Sequence, residues 1–600
     1  MNRIYSLIWN RKLHTLQVAS ELSHARCGGT AGAANPRPRK VPLVLACVAA
    51  PALGVFALPV WATPMCPVGT TLLGNGSGGA GASGSGYGAA GGNGSAATSF
   101  GGGAYCLPVL GSLVGGVGGY GAVGQSGLRG NGGHGGAGGA GVVGSASALT
   151  NDGSVTGGVG GGGGNGGTSP ELGGTGGAGG AGGAGVSAGD SALTNNGSIT
   201  GGVGGQGGNG GAALFEDNFG GNGGHGGAGG AGVSGSAFTL TNGGSITGGR
   251  GGEGGFPGHS DPATGESGGD GVSGAGVVST GNSTVINAGS IAGGRFDSQA
   301  DAVQFSGGGN TLTLESGYSF TGNVVSTSGT TNGGDTLALG GSTSPTGSFD
   351  LSDVVASVPK SPAAGVTYYG GFNDFAKTGS GIWTVTGTNA PFGGGITVQA
   401  GTLQVGDGST PTALGGGEAT VDAGATLSGF GSVVAPTAVN AGAVISPGAG
   451  ITSGTLTINS SLSLSGTADF GIDGTGNGQF DVLDVIGAAS FGDGSVLNFL
   501  LGGDTSQQAG DTFQFFDASS FLDFADVQNS FSCSGLMAGL TCGLSMNDTG
   551  NGLLLTLDGS NGGGGTSAVP EPGSLGMMAF GLLLLGGGIG WRRRPAGRSG

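Results

Sequence analysis

The sequence predicts an all-β protein in which short strands wind into a β-solenoid, and three observations carry that reading. Glycine supplies 157 of 600 residues while charged residues supply 8%, which sets the chain apart from average globular domains. A polar corner between flanking aliphatics recurs in register along the chain, as stacked repeats require. Around the corners aliphatic and hydroxyl residues alternate, as in Thr311, Leu312, Thr313, Leu314 and Thr455, Leu456, Thr457, Ile458. Period-two alternation gives each strand one apolar face. The valine- and threonine-containing, charge-poor stretches argue against simple disorder.

The upstream repeat lies between residues 134 and 296. Its core runs Leu149 to Val155, then Leu193 to Ile199, Leu240 to Ile246 and Ile286 to Ile291. Ser154, Ser198, Ser245 and Ser290 mark it at intervals of 44, 47 and 45 residues. An Asn-Gly corner suits a chain reversal through positive φ. Downstream the corner returns at Val398 to Leu403, Val421 to Leu427 and Val439 to Ile445, in steps of 23 and 18 residues, the length of one coil. A sandwich would alternate too. Corners in register favour parallel coils, because a lone coil cannot bury its own face. On this reading the 45-residue unit is two coils, one widened by glycine. The Gly-Gly-X blocks, such as Gly132 to Gly141 and Gly223 to Gly232, are expected to be loose loops. The alternative is packed polyglycine helices with three residues per turn.

Charge narrows the partners. Seven of the 16 Lys and Arg fall in the first 40 residues and four after residue 591, leaving five against 31 of the 33 acids, a net −26 for the body. Nucleic acid and anionic lipid want cations opposite their phosphates, so neither is expected as a ligand. Cations remain possible partners.

The two ends read as signals. Arg37, Arg39 and Lys40 precede an apolar run from Val41 to Val60, and Val60, Trp61 and Ala62 place signal-peptidase cleavage between Ala62 and Thr63. Ahead of it, Met1 to Arg11 and Val18 to Glu21 resemble the extended signal peptide region of autotransporters and other type V secreted proteins. That resemblance implies export from a Gram-negative type of cell. At the other end, Val569, Pro570, Glu571 and Pro572 precede an apolar stretch from Leu575 to Trp591 and then Arg592, Arg593 and Arg594. As a helix this stretch just spans a ~30 Å hydrocarbon core, and the arginines would stay cytoplasmic. The ordered trio resembles a PEP-CTERM sorting signal. The resemblance implies an exosortase-type enzyme as partner, transient tethering at the inner membrane, and transfer to the cell surface or extracellular matrix. Autotransporters end in a β-barrel translocator of amphipathic strands, whereas a helix and a basic tail are expected here.

Lys377 to Gly387 followed by Gly394 to Gly406 resembles the autotransporter-associated β-strand repeat of passenger domains. Phe480 to Val485 with Gly510 to Phe513 resembles the closing coils of such passengers. The family implies a right-handed parallel β-helix. The expected segments are an extended signal peptide at 1–62, a glycine-rich cap at 63–133 and glycine-rich repeats at 134–296. A β-solenoid at 297–558, a flexible linker at 559–568 and the sorting signal with its transmembrane helix at 569–600 complete the chain.

Candidate chemistry is sparse. Cys66 with Cys106 and Cys533 with Cys542 form close pairs in an exported, oxidising setting and are expected as disulfides. The pairs lie more than 400 residues apart, which argues against one four-cysteine metal site. His134, His225 and His259 read as exposed loop residues. Gly189, Asp190, Ser191 begins like a lipase nucleophile block, but Ala192 follows it and no paired Asp and His appears. Matches to Gly-x-Gly-x-x-Gly arise by chance in a chain this rich in glycine. Asp473, Asp481 and Asp484 carry oxygen ligands of the kind calcium takes, without the calcium-binding nonapeptide, and are expected to face solvent. No base lies near an acidic cluster at coil spacing. No catalytic residue, metal or cofactor is therefore assigned. The expectation is an exported non-catalytic surface or extracellular-matrix structural protein. Its partners would be signal peptidase, the export translocon and the exosortase-type enzyme, with extracellular polysaccharide or cell surfaces as candidate ligands. A passenger-like adhesin is the alternative, and a glycan-processing β-helix enzyme is disfavoured.

Overall fold

The computed structural model describes residues 5–10, 15–20 and 66–559, apart from 216–217, 261–263, 342–346, 360–362, 364, 389–391 and 503–506. It divides into two compact units, 1–61 and 62–600. In the first, Tyr5–Asn10 pairs antiparallel with Thr15–Ser20.

The second unit is a stack of parallel strands. One coil runs through Val142–Ser145, Ala148–Asn151 and Ser154–Thr156. The next runs through Val186–Gly189, Ala192–Asn195 and Ser198–Thr200. Each strand pairs in parallel with its equivalent, so Val142 faces Val186, Leu149 faces Leu193 and Val155 faces Ile199. Alternation then sends one aliphatic per strand inward. Val186, Val233, Val277, Val303 and Val324 form one buried column, Leu193, Leu240, Val285, Leu312 and Leu337 a second, and Val155, Ile199, Ile246 and Ile291 a third. Fully burying such a side chain contributes roughly 1.5–3 kcal/mol, and no coil achieves it without its neighbours.

The downstream steps of 23 and 18 residues coincide with direct pairing, Val398 to Val421 to Val439 and Leu403 to Leu427 to Ile445. From Gly347–Asp350 onward another parallel sheet, including Ile382–Thr386, Gly401–Val405 and Ala425–Gly429, takes over one face. The stack ends differently. Gly552–Gly559 lies antiparallel against Thr512–Leu522 and Leu540–Met546, beside a plug in which the rings of Phe470 and Phe499 each meet Phe515 at 4.7 Å. Strand pairing crosses residues 133/134 and 296/297 without a break, since Thr98–Gly101 pairs with Val142–Ser145 and Val277–Ser279 with Val303–Phe305. Phe524–Gln528 is the only α-helix among the described residues. No described helix is long and apolar enough to cross a membrane, and the span expected at 575–591 lies outside the described residues.

Two expectations about the glycine repeats are corrected. The 45-residue unit is one coil, because Ser154 pairs directly with Ser198, Ser198 with Ser245 and Ser245 with Ser290. The remaining residues form an outbound and a returning limb, and these are ordered. In the outbound limb of residues 157–167 the first glycine of each triplet donates to the same limb of the next coil, Gly160 N to Val203 O and Gly163 N to Gln206 O at 2.8 Å. The second donates across to a returning limb, Gly161 N to Gly136 O at 2.7 Å and Gly164 N to Gly133 O at 2.8 Å. Returning limbs repeat the rule, with Gly179 N bonded to His225 O and Gly180 N to Gly161 O at 2.8 Å. The outcome is a two-layered slab of three-residue helical limbs, the polyglycine arrangement. None of these limb glycines has positive φ. Glycine is required there because a Cβ has no room: at Gly180 it would fall on the carbonyl of Gly136, and at Gly160 on that of Gly180.

Only the third residue of each triplet points outward, and this asymmetry is testable. Gly180→Ala is expected to destabilise the fold by about 2–4 kcal/mol, through overpacking that backbone alone can relieve. Ala181→Ser, one residue on and exposed, should stay within about 0.5 kcal/mol. Urea unfolding of both variants checks this, and equal effects would contradict the slab.

Candidate functional site

The structure joins Cys66 to Cys106 and Cys533 to Cys542. The first ties residue 66 to the buried end of the strand Ala104–Leu107, the second links Phe531–Ser534 to the closing hairpin strand Leu540–Met546. Asp152 brings a carboxylate oxygen to 3.8 Å from Cys106 Sγ. Cys66, Cys106 and Asp152 are the one metal-competent grouping among the described residues, and the disulfide occupies both of its sulfurs. Ala62, Thr63, Val569, Pro570, Glu571, Pro572, Arg592, Arg593 and Arg594 lie outside the described residues.

The three aspartates do not converge. Asp473 is exposed and accepts from Ser453 Oγ at 3.2 Å, while Asp484 pairs in register with Asp517 on the neighbouring strand. Asp481, expected at the surface, is 5% exposed. Its two oxygens accept from the backbone N–H groups of Gly454 and Gly471 at 2.8 and 2.7 Å. It therefore clamps the coil at a place where Gly448, Gly454 and Gly471 bring the backbone close. Ser191 is a buried corner residue that donates to Gly189 O at 2.8 Å, behind Asp190 at φ 49°, so that motif is structural.

His134 and His225 are exposed, and each has a bonding role. Their Nδ1 atoms accept the third-position N–H of the next coil, from Ala178 and Gly269, at 3.0 Å. Asn93, Asn131, Asn165, Asn209 and Asn222 do the same through Oδ1. Asn and His at outward positions thus supply acceptors to the one amide per triplet that the slab leaves over. His259 is exposed.

Sequence reasoning finds the polar Asn corner but not that its side chains lie inside the stack. Asn151, Asn195, Asn242 and Asn287 occupy one column, fully buried. Each of the first three donates Nδ2 to the next Oδ1, at 2.7, 2.8 and 2.8 Å. The column continues through Leu314 and Leu339 to Lys377, the buried cation of the segment that resembles a passenger repeat. Lys377 Nζ donates to the carbonyls of Thr378, Gly379 and Ala400 at 2.8, 2.8 and 2.9 Å. Burial pushes its ammonium down to about 8, which leaves it protonated at neutral pH. Nearby, buried Asp335 accepts from Asn310 N and Nδ2 and from Ser326 and Ser328 Oγ, at 2.7–2.9 Å. One concavity is an open cleft of about 560 Å3 lined by Arg295, Asp297, Gln299, Phe320, Asn323 and Thr367 among others. The amide of Gln299 is already spent on the carbonyl of Gly293 at 2.8 Å.

Two consequences can be measured. Lys377→Met strands three buried carbonyls, each costing about 1–3 kcal/mol in isolation, and is expected to lower stability by about 2–4 kcal/mol in total; denaturant titration that found no loss would contradict the assignment. Burial, opposed by its two N–H donors, raises Asp481 from 3.8 to about 6. The folded state then binds the proton more tightly, so this stabilisation is full below pH 3.8 and is lost as pH rises through 6. The stability of wild type relative to Asp481→Asn should fall by up to about 2–3 kcal/mol between pH 4 and pH 7, read from urea unfolding at each pH.

Comparison with known families finds three matches. An extended signal peptide of the type V secretion system matches residues 1–50, a passenger-associated transport repeat matches 375–405, and a PEP-CTERM protein-sorting motif matches 568–594. No curated protein matches the chain. The passenger-repeat match begins two residues before Lys377 and ends on the core residue Val405, so it covers the coil that the lysine closes. The chain therefore combines the export signal of type V proteins with the sorting motif of PEP-CTERM proteins around a parallel β-stack, the signals of an exported, cell-surface or extracellular protein.

Proposed function

We propose that the protein is a non-catalytic structural component of the cell surface or extracellular matrix, built as a right-handed β-helix and delivered by its C-terminal signal. The observation that supports this most directly is the placing of a type V leader and a PEP-CTERM motif on one chain. In this reading signal peptidase cuts after Ala62, and the apolar segment 575–591 holds the chain in the inner membrane with Arg592, Arg593 and Arg594 on the cytoplasmic side. An exosortase-type enzyme then cuts near Pro570, Glu571 and Pro572, reached through the glycine-rich linker of residues 559–568. The stack suits an extracellular structural role, because its parallel coils, backbone-paired slab and two disulfides tie the chain together along its length.

A passenger-like adhesin is the second reading, favoured by the match at 375–405 and by outward hydroxyl columns such as Ser154, Ser198, Ser245 and Ser290. Fractionation separates delivery routes. Replacing Glu571 with Ala, or deleting Arg592 to Arg594, is expected to leave the chain in the membrane fraction or misdirected. Surface display unchanged by both alterations would overturn the sorting reading and leave delivery to the amino-terminal signal.

A further inference from the structure

The glycine slab has two outer faces, and they differ. On the returning face the outward positions are mostly small or polar: Ala137, Ala181 and Ala228 in one column that ends on the exposed Val272, His134, Ala178 and His225 in another, Asn131, Thr175 and Asn222 in a third. On the outbound face, Val117, Val159 and Val203 stand in one column, 42%, 42% and 39% exposed, with Tyr120 at 64% in the next column and Phe256 at 74% in the one beyond. Their register follows from Gly118 N bonding Val159 O and Gly160 N bonding Val203 O at 2.8 Å. Tyr120 lies across the next coil's outward glycine, Gly162, which levels the face.

We propose that this outbound face is a homotypic interface, on which a second copy of the chain seats through the same face. Charge is the first reason. In a body of net −26, the outward positions of the outbound limbs carry one acid and one base, Glu253 and Arg250, and these two pair at 3.1 Å. Two like-charged copies can therefore approach here with the least repulsion. Area is the second. Limbs of about nine residues at ~3.1 Å rise are roughly 28 Å long, and five of them at ~4.8 Å spacing are about 24 Å wide. Two such faces would bury about 1,300 Å2, within the ~1,200–2,000 Å2 of stable specific interfaces. Regularity is the third: columns repeating at fixed intervals along and across the limbs are self-complementary under a twofold axis, as an isologous dimer requires. The slab's own edges, by contrast, are sealed. Ser95 Oγ accepts Gly79 N at 2.7 Å at one edge, and Asp270 Oδ1 accepts Gly254 N at 2.8 Å at the other.

The proposal concerns association of the purified exported chain and does not rest on the sorting reading, so sedimentation and fractionation can fail separately. Sedimentation velocity of the mature protein over a concentration series is expected to show a reversible dimer. Val159→Asp with Val203→Asp should weaken it by well over tenfold, and Val159→Asn with Val203→Asn, residues that outward positions already hold at Asn165 and Asn209, should weaken it while keeping the circular dichroism of the wild type. Ala181→Asp on the returning face should leave the dimer unchanged. A wild type monomeric at every concentration would overturn the proposal, as would a dimer indifferent to both Val pairs. A monomer whose outbound face is protected from hydrogen exchange would assign the face to another segment of the same chain, and would overturn it equally.

Discussion

The constraint on which this structure depends is that a chain this rich in glycine must satisfy its backbone N–H and C=O groups chiefly by pairing with neighbouring coils and limbs. Strands meet it through parallel ladders, and the limbs meet it with two amides per triplet, one directed along the layer and one across it. Both solutions share the same translation, so the slab and the strand stack hold each other in register. A glycine limb has no aliphatic face to bury, and alone it would remain solvated chain. Anchored at both ends to strands already fixed by Val142, Leu149 and Val155, it loses much of its freedom before its own hydrogen bonds form.

Corners are where this arrangement is hardest to satisfy, because the turning chain leaves carbonyls pointing inward. The column from Asn151 to Lys377 shows two chemical answers at one geometric position. Asn amides donate sideways to a corner carbonyl, as Asn151 Nδ2 does to Ser198 O at 3.2 Å, and upward to the next Asn. The ladder ends where Leu314 follows Asn287, whose Nδ2 is left without a partner. Lys377 solves the later corner alone with three acceptors. A buried ammonium is costly unless its hydrogen bonds are complete, and three short carbonyl contacts complete them without a carboxylate.

Much of the strand register was legible because it is written in repeating side chains: Ser154, Ser198, Ser245 and Ser290 align in space at the spacing they have in sequence. The slab was not legible, because Gly-Gly-X texture is shared by flexible linkers, and what decides between them is the coil register supplied from outside the segment. The 45-residue unit is one coil rather than two for a related reason: the glycine stretch has no alternating aliphatics to place in a core, so it adds limbs to a coil and not a second coil. Lys377 and Asp481 escaped because a lone charge in sequence ordinarily marks a surface, and their burial follows from backbone groups contributed by Ala400, Gly454 and Gly471, up to 27 residues away in the chain. The comparison with a passenger repeat located the lysine without giving its role. The signals at the two ends, by contrast, are linear codes, and sequence alone suffices to find them.

Where the rule of glycine is broken tells most about how the slab is bounded. Gly226 and Gly229 cannot carry a Cβ, since it would fall on the carbonyls of Gly252 and Gly249. One coil later the equivalent positions hold Asp270 and Ser273, where no further limb follows, and their side chains accept the amides of Gly254 and Gly251. At the opposite edge Ser95 does the same for Gly79. An uncapped edge would present a row of unpaired amides and carbonyls to any other chain. Capping both edges with side chains stops growth along the stacking direction and leaves the flat faces as the surfaces through which slabs can meet. Sequence composition thus changes at the points where the hydrogen-bond lattice ends, and the fold's size is set by those few residues rather than by the many glycines between them.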